Sequence, residues 1–352
     1  MDSTSQTENP VVASFLKQID WCAHLGSPFT AALLRAAIVE LQPDGALDNI
    51  VGAWPGDPLA DILPLRVAGA LHALVLTGMA PDLGTAYPPE KLPEEKSLHA
   101  LLLHALRQHH DFIKRFIESP PQTNEVGRSA VLLGGFLEIA AATEKPLRLL
   151  EIGASAGLNL LWDRFYYRLG DARWGDPTSP VHLAPAWDGN PPALAAAIRI
   201  TERSGCDLAP IDVTEDSEAL RLRAYVWADQ TDRLDRLNGA IALARRDHPN
   251  VEQCNATEFL RRHLANPMPE QASVVYHSIM WNYVADMDKA AIKGVMRDAA
   301  SRASPASPLA WLRFEIVSKD QYPELHVTLW PGGETRRLAV ANPHGASVAW
   351  LA

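Results

Sequence analysis

The chain is predicted to be an α/β protein: a doubly wound, mostly parallel sheet with an antiparallel C-terminal hairpin, preceded by an α-helical N-terminal region. Three observations predict it. No β-alternation of useful length occurs before residue 147. There, Leu147-Arg148-Leu149-Leu150-Glu151-Ile152 runs into the turn Gly153-Ala154-Ser155-Ala156-Gly157 and a helix-like Leu158 to Arg164. Beyond it, strand-like and helix-like segments alternate as in a parallel sheet. The division expected from this change of pattern is a helical region over 1–144 and an α/β domain over 145–352, with an excursion at 166–192.

In the first region, Val12, Phe15, Leu16, Ile19 and Ala23 recur at helical spacing, and Pro28 opens a second helix to about Leu41. Pro64 does the same for Leu65 to Leu76. Ser97 is placed to cap a long helix through Ile117, and Asn124 another through about Ala142. Segments 52–58 and 80–93 read as Gly/Pro-rich loops. After the first strand, Tyr166 to Pro192 reads as a hairpin or loop excursion and Ala195 to Thr201 as the second strand, ending at Glu202. Glu218 to Arg246 is helical with a break near Asp229. Asn250 to Asn255 is the third strand, Ala256 to Leu264 its helix, Ser273 to Ser278 the fourth strand, Met287 to Arg302 a helix and Leu309 to Val317 the fifth strand. Leu325 to Trp330, the Pro331-Gly332-Gly333 turn and Arg336 to Val340 form the terminal hairpin.

The composition is that of a globular protein with a sizeable core, 47% hydrophobic and 21% charged. A net charge of −10 argues against a nucleic-acid backbone as the main partner, because neutralising phosphates needs clustered Lys and Arg. No apolar stretch reaches the ~20 residues that cross a bilayer, and Met1 to Asn9 lack the pattern of a signal peptide, so a cytoplasmic protein without a membrane partner is expected. Cys22, Cys206 and Cys254 suggest neither a disulfide framework nor a zinc site. His99, His104, His109, His110 and Asp111 do not follow the i, i+4 spacing of helical ligands, and no metal is expected. The oligomeric state is not legible.

The glycine turn admits two chemistries. Gly153-x-Ser155-x-Gly157 matches the nucleophile elbow of α/β-hydrolases, with Asp288 or Asp320 and His344 as later partners, but an elbow needs several strands before it. Glu151-x-Gly153-x-x-x-Gly157 resembles the first motif of S-adenosylmethionine-dependent methyltransferases. A first strand, glycine turn and helix N-terminus form a nucleotide-binding edge, where Gly153 and Gly157 would let the chain approach the ligand and Ala154, Ser155 and Asn159 would help to bind it. Glu151 would accept from the cofactor's ammonium group and Glu202 from its ribose; Asn255 and Ala256 would neighbour its adenine, with Ser278 at the end of the fourth strand. His277 is the first candidate base and His344 the second; Asn124, Arg128, Trp281 and Tyr283 are candidates for holding the acceptor.

Residues 122–125, 150–164 and 203–207 resemble a known family, as do Tyr276-His277-Ser278, Leu329-Trp330-Pro331-Gly332-Gly333 and His344-Gly345. It is the bacterial domain-of-unknown-function 2332 family, similar in fold to S-adenosylmethionine-dependent methyltransferases. The resemblance covers nearly the whole chain. It implies a helical N-terminal part and a methyltransferase-like sheet, and it implies no substrate. The fourth strand is not followed by the Asn-Pro-Pro-Tyr or Asp-Pro-Pro-Tyr of many DNA-methylating enzymes. The expected activity is therefore methylation of a small molecule or protein side chain, with a catalytically inactive binding protein as the alternative.

Overall fold

A computed structural model describes residues 9–318 and 321–352. They divide into two compact units: the described residues up to Thr123 with Glu215–Leu234, and those of Asn124–Thr214 with Asp235–Ala352. The division therefore differs from a cut at 144/145. The last N-terminal helix belongs with the sheet, and a segment from the second half of the chain belongs with the helices.

The helical unit contains α1 (Pro10–His24), α2 (Pro28–Ile38), the short α3 (Asp48–Val51), α4 (Leu63–Leu76), the short α5 (Pro81–Gly84), α6 (Glu95–Gln108) and α7 (His110–Glu118). Pro10 and Pro28 occupy first-turn positions, where the missing N–H is no loss, and Asn9 Oδ1 caps α1 through the Val11 N–H. The helix expected over 97–117 breaks at His109, whose φ of −116° and ψ of 25° lie outside the helical well, giving α6 and α7. Phe15, Leu34, Val67, Leu71, Leu102 and Ile113 are among its fully buried core side chains.

The second unit begins with α8 (Ser129–Thr143) and β1 (Leu147–Ile152), then β2 (Tyr166–Leu169), β3 (Ala172–Trp174), β4 (His182–Leu183), β5 (Ala186–Asp188) and β6 (Ile200–Asp207). The next helix, α9 (Asp216–Ala224), belongs to the helical unit, and α10 (Thr231–Asp247) spans the division. Then follow β7 (Asn250–Gln253), α11 (Ala256–His263), β8 (Ala272–Ser278), α12 (Asp286–Ala300), β9 (Leu309–Glu315), β10 (Glu324–Trp330), β11 (Glu334–Ala341) and β12 (Ser347–Trp350). The nine-stranded sheet has the order β5-β12-β11-β10-β9-β8-β1-β6-β7, and the excursion folds mainly into a small sheet, β3-β2-β4. Strands β7, β6, β1, β8 and β9 are mutually parallel, whereas β9 to β12 run antiparallel to one another.

Adjacent strand residues point to opposite faces, and helices cover both. Tyr276 of β8 meets Phe136 of α8 edge-to-face at 5.0 Å, while Val275 packs with Ile292 and Met296 of α12. Among the described residues, helix α8 is part of the one helical stretch, Val126–Thr143, apolar and long enough to cross a membrane; 72% of that stretch is buried here, as befits a core helix.

Ser97 lies inside α6, which starts at Glu95, and caps nothing, and three further expectations need correction. The second strand is β6, five residues later than Ala195 to Thr201. Its outer half lacks an apolar pattern because ion pairs hold it, Glu202 to Arg148 at 2.6 Å and Arg203 to Asp163 at 2.5 Å. Residues Leu158–Arg164 form a 3-10 segment kinked at Leu161, not an α-helix. Asn124 does not cap α8; its Oδ1 accepts from the Leu158 N–H at 2.8 Å, and α8 starts at Ser129 after a 3-10 turn at Val126–Arg128.

Candidate functional site

From β1 the chain runs outward to β6 and β7, then returns to lay β8 on the other side of β1. The β1/β8 boundary is thus the topological switch point, outside whose carboxyl ends ligands bind in open α/β sheets. A cleft of about 310 Å³ lies at these ends. Gly153 follows β1 into it, Cys206 and Asp207 end β6, Asn255 and Ala256 follow β7, and Met280 and Tyr283 follow β8. Such a volume, with mostly apolar walls and a few polar groups, falls within the ~300–1,000 Å³ range of small-molecule sites.

The turn is built for close approach. Gly153 has φ +69°, and a Cβ there would lie 3.0 Å from Met280 Cγ. Gly157, also at φ +69°, has a packing role: a Cβ would come 2.7 Å from Val251 Cγ2. Ala154 is buried against Gly205. Ser155, at φ 54°, gives its N–H to Asp207 Oδ2 at 2.9 Å, and Asp207 Oδ1 accepts from the Ala209 N–H at 3.0 Å. One carboxylate therefore ties the β1 turn to the end of β6. No α-helix follows this turn, since Leu158–Arg164 is a 3-10 segment.

Asp207 is the residue that sequence reasoning missed. Moving the second strand to 200–207 puts Asp207, not Glu202, at its carboxyl end. Glu202 lies opposite Arg148 within the sheet, and its carboxyl is held below the usual range by Arg148, against the opposing effect of its own desolvation. Asn255 lines the cleft and also caps α11 through the Glu258 N–H at 2.9 Å. Leu208 is 73% exposed and Tyr283 83%, so the cleft has apolar surface at its mouth.

Other expected site residues gather on the α8 face of the same strand ends. Glu151 is buried and accepts from the Tyr276 hydroxyl at 3.2 Å; burial pushes its pKa up to about 8, although Tyr276 and Arg128 both oppose the shift. Asn159 Oδ1 accepts from Ser129 Oγ at 2.6 Å, and its amide donates to the Glu125 carbonyl at 3.3 Å. Arg128 donates to the carbonyls of Ser278 at 2.9 Å and Pro343 at 3.2 Å. His344 Nδ1 lies 3.4 Å from the buried Glu125 carboxylate. The motif segments 124–129, 151–159, 276–278 and 342–345 thus converge in a buried polar network, and of them only Gly153 lines the cleft.

His277 is 1% exposed and does not line the cleft. Its Nδ1 lies 2.7 Å from Glu315 Oε1, and its ring stacks on Trp281 at 5.1 Å. The Glu315 carboxylate also accepts from the N–H groups of Met280 at 3.1 Å and Trp281 at 3.2 Å. Together they fix the segment that carries Met280 and Tyr283 to the cleft. Ile279, at φ 48°, is a backbone outlier for a β-branched residue in that same segment. The signal for Glu315 was its position at the end of the fifth strand.

The elbow geometry is not assembled. Among the described residues no strand precedes β1, and Ser155 Oγ is buried without a hydrogen-bond partner. His344 faces Glu125, Asp288 lines the cleft, and Asp320 lies outside the described residues.

Fold and site together define an α/β protein with a ligand-sized cleft at the switch point of a mostly parallel sheet. The chain belongs to the family described as "Uncharacterized protein conserved in bacteria (DUF2332)", which matches residues 12–350. No curated protein and no solved structure matches it.

Proposed function

We propose that this is a cytoplasmic S-adenosylmethionine-binding enzyme of methyltransferase-like fold, acting on a small molecule or a protein side chain and not on nucleic acid. The observation that carries the reading is the Asp207 carboxylate, bonded to the Ser155 N–H and opening with Gly153 on one cleft. A carboxylate ending the strand beside a glycine turn supplies the acceptor that a ribose diol requires and the room that a closely approaching ligand requires. Asp207 would hold the ribose, Asn255 and Ala256 would neighbour the adenine, and Leu208 and Tyr283 offer it apolar surface. Glu151, expected from the sequence to accept from the ammonium group, lies in the buried network and not in the cleft, so it is given no contact with the cofactor.

When bound, the cofactor supplies an electrophilic methyl group for in-line transfer. The chain's own task is to position the acceptor and exclude water. His277 serves this task through Glu315 and the Met280–Tyr283 segment, as a positioning residue. Because it does not line the cleft, a second reading is retained: a methyltransferase-like protein that binds the ligand without turnover.

Thermal denaturation with S-adenosylmethionine and S-adenosylhomocysteine tests the cofactor. At 100 times its dissociation constant, either ligand is expected to add about 2.7 kcal/mol of stability. No change in Tm at millimolar concentrations of both would contradict the reading.

A further inference from the structure

The helical unit holds a separate, half-open cavity of about 60 Å³, lined by residues of α2 and α4 and by the Ala224–Ala228 segment, which begins at the last residue of α9. Phe29, Leu33, Leu65 and Val226 are among its walls, and no Asp, Glu, Lys or Arg lines it among the described residues. Two phenols stand out against this lining. Tyr87 and Tyr225 both line the cavity and both are buried, and neither hydroxyl has a hydrogen-bond partner among the described residues. An unpaired buried donor is costly and uncommon, and here two border one space.

The surroundings hold both rings in place. Tyr87 meets Phe29 edge-to-face at 4.6 Å and stacks on His72 at 5.6 Å. The Tyr225 ring lies against Gly69 in mid-α4, where a Cβ would come within 2.7 Å of Cε1. Glycine is a poor residue inside a helix, so this position gives up helix propensity to admit the ring. His72 Nδ1 lies 3.2 Å from the Ala224 carbonyl, and burial lowers its pKa, leaving the imidazole neutral near pH 7.

We propose that this cavity is a binding site for a small uncharged molecule with an apolar body and a carbonyl or ether oxygen that accepts from the Tyr87 and Tyr225 hydroxyls. A neutral, acceptor-bearing ligand follows from the uncharged lining and the two unused donors. At ~10–15 Å³ per water-sized sphere, the space receives a few non-hydrogen atoms. The site does not depend on the cofactor assigned to the sheet edge.

The test uses the full chain, the variants Tyr87→Phe and Tyr225→Phe, their combination, and cyclopentanone as the probe. Without probe, each single variant is expected to keep or raise Tm, because the hydroxyl removed was unpaired. Cyclopentanone is expected to bind the wild type saturably by NMR titration and the double variant about tenfold or more weakly. A lowered Tm in both single variants would overturn the proposal by showing that the hydroxyls have partners in the native protein. Absent binding, or equal binding to wild type and double variant, would overturn it as well. So would a crystal structure in which only ordered waters meet the hydroxyls and cyclopentanone does not displace them.

Discussion

The two faces of the sheet meet the same strand ends and use them in opposite ways. On the α12 face, the ends of β1, β6, β7 and β8 leave a cleft with an exposed apolar mouth. On the α8 face, Glu151, Tyr276, Asn159 and Arg128 close on one another and on the Asn342–Gly345 segment. A single motif serves both faces because the strand ends at Ile152: Glu151 shares the α8 face with Tyr276 and, with Asn159, builds the network, whereas Gly153, at φ +69° in the turn beyond the strand, opens on the cleft. A dense motif therefore marks a strand end that organises a site, and only some of its residues face a ligand.

The largest expected effect belongs to the network. Glu151 has its pKa raised from 4.5 to about 8. Folding then takes up a proton between these values, so its contribution to stability is fully present below pH 4.5 and lost as pH rises through about 8. Glu151→Gln is expected to abolish that loss, worth on the order of 4 kcal/mol across the window, as read from urea denaturation between pH 5 and 9. A variant with unchanged pH dependence would mean that the carboxylate is not desolvated as the structure shows.

On the cleft side, Gly153→Val places a β-branched residue at φ +69° and presses on Met280. A cost of about 1–3 kcal/mol in stability is expected, with ligand binding weakened at least ~100-fold by calorimetry. Normal binding would remove the turn from the site. The smallest effect is Tyr283→Ala: at 83% exposure, stability should change by less than about 0.5 kcal/mol while affinity falls several-fold. Unchanged affinity would make the exposed mouth incidental.

Much of the fold was legible because periodicity reports burial. The helical stretch, β1, β8 and the terminal hairpin all carry apolar runs or turn residues of the expected kind. Strand β6 was not, since Thr201-Glu202-Arg203-Ser204 is stabilised by ion pairs that no hydropathy pattern records. That shift misassigned the acid at its end. Leu158–Arg164 looked helical by composition, but the Asn124 contact at Leu158 and the kink at Leu161 are tertiary. The strand-end rule anticipated the cleft-lining positions of Gly153, Asn255 and Tyr283, whereas the opposite faces on which Glu151 and His277 lie required strand register.

The most direct measurement is calorimetric titration of S-adenosylhomocysteine into the wild type, Asp207→Asn and Glu202→Gln. Saturable binding to the wild type is expected, weakened about 10- to 100-fold by Asp207→Asn through loss of a charge-assisted hydrogen bond. Glu202→Gln should bind normally, because that carboxylate is engaged with Arg148 in the sheet. No binding to the wild type, or an affinity unchanged in Asp207→Asn and lost in Glu202→Gln, would contradict a ligand site at the ends of β1 and β6.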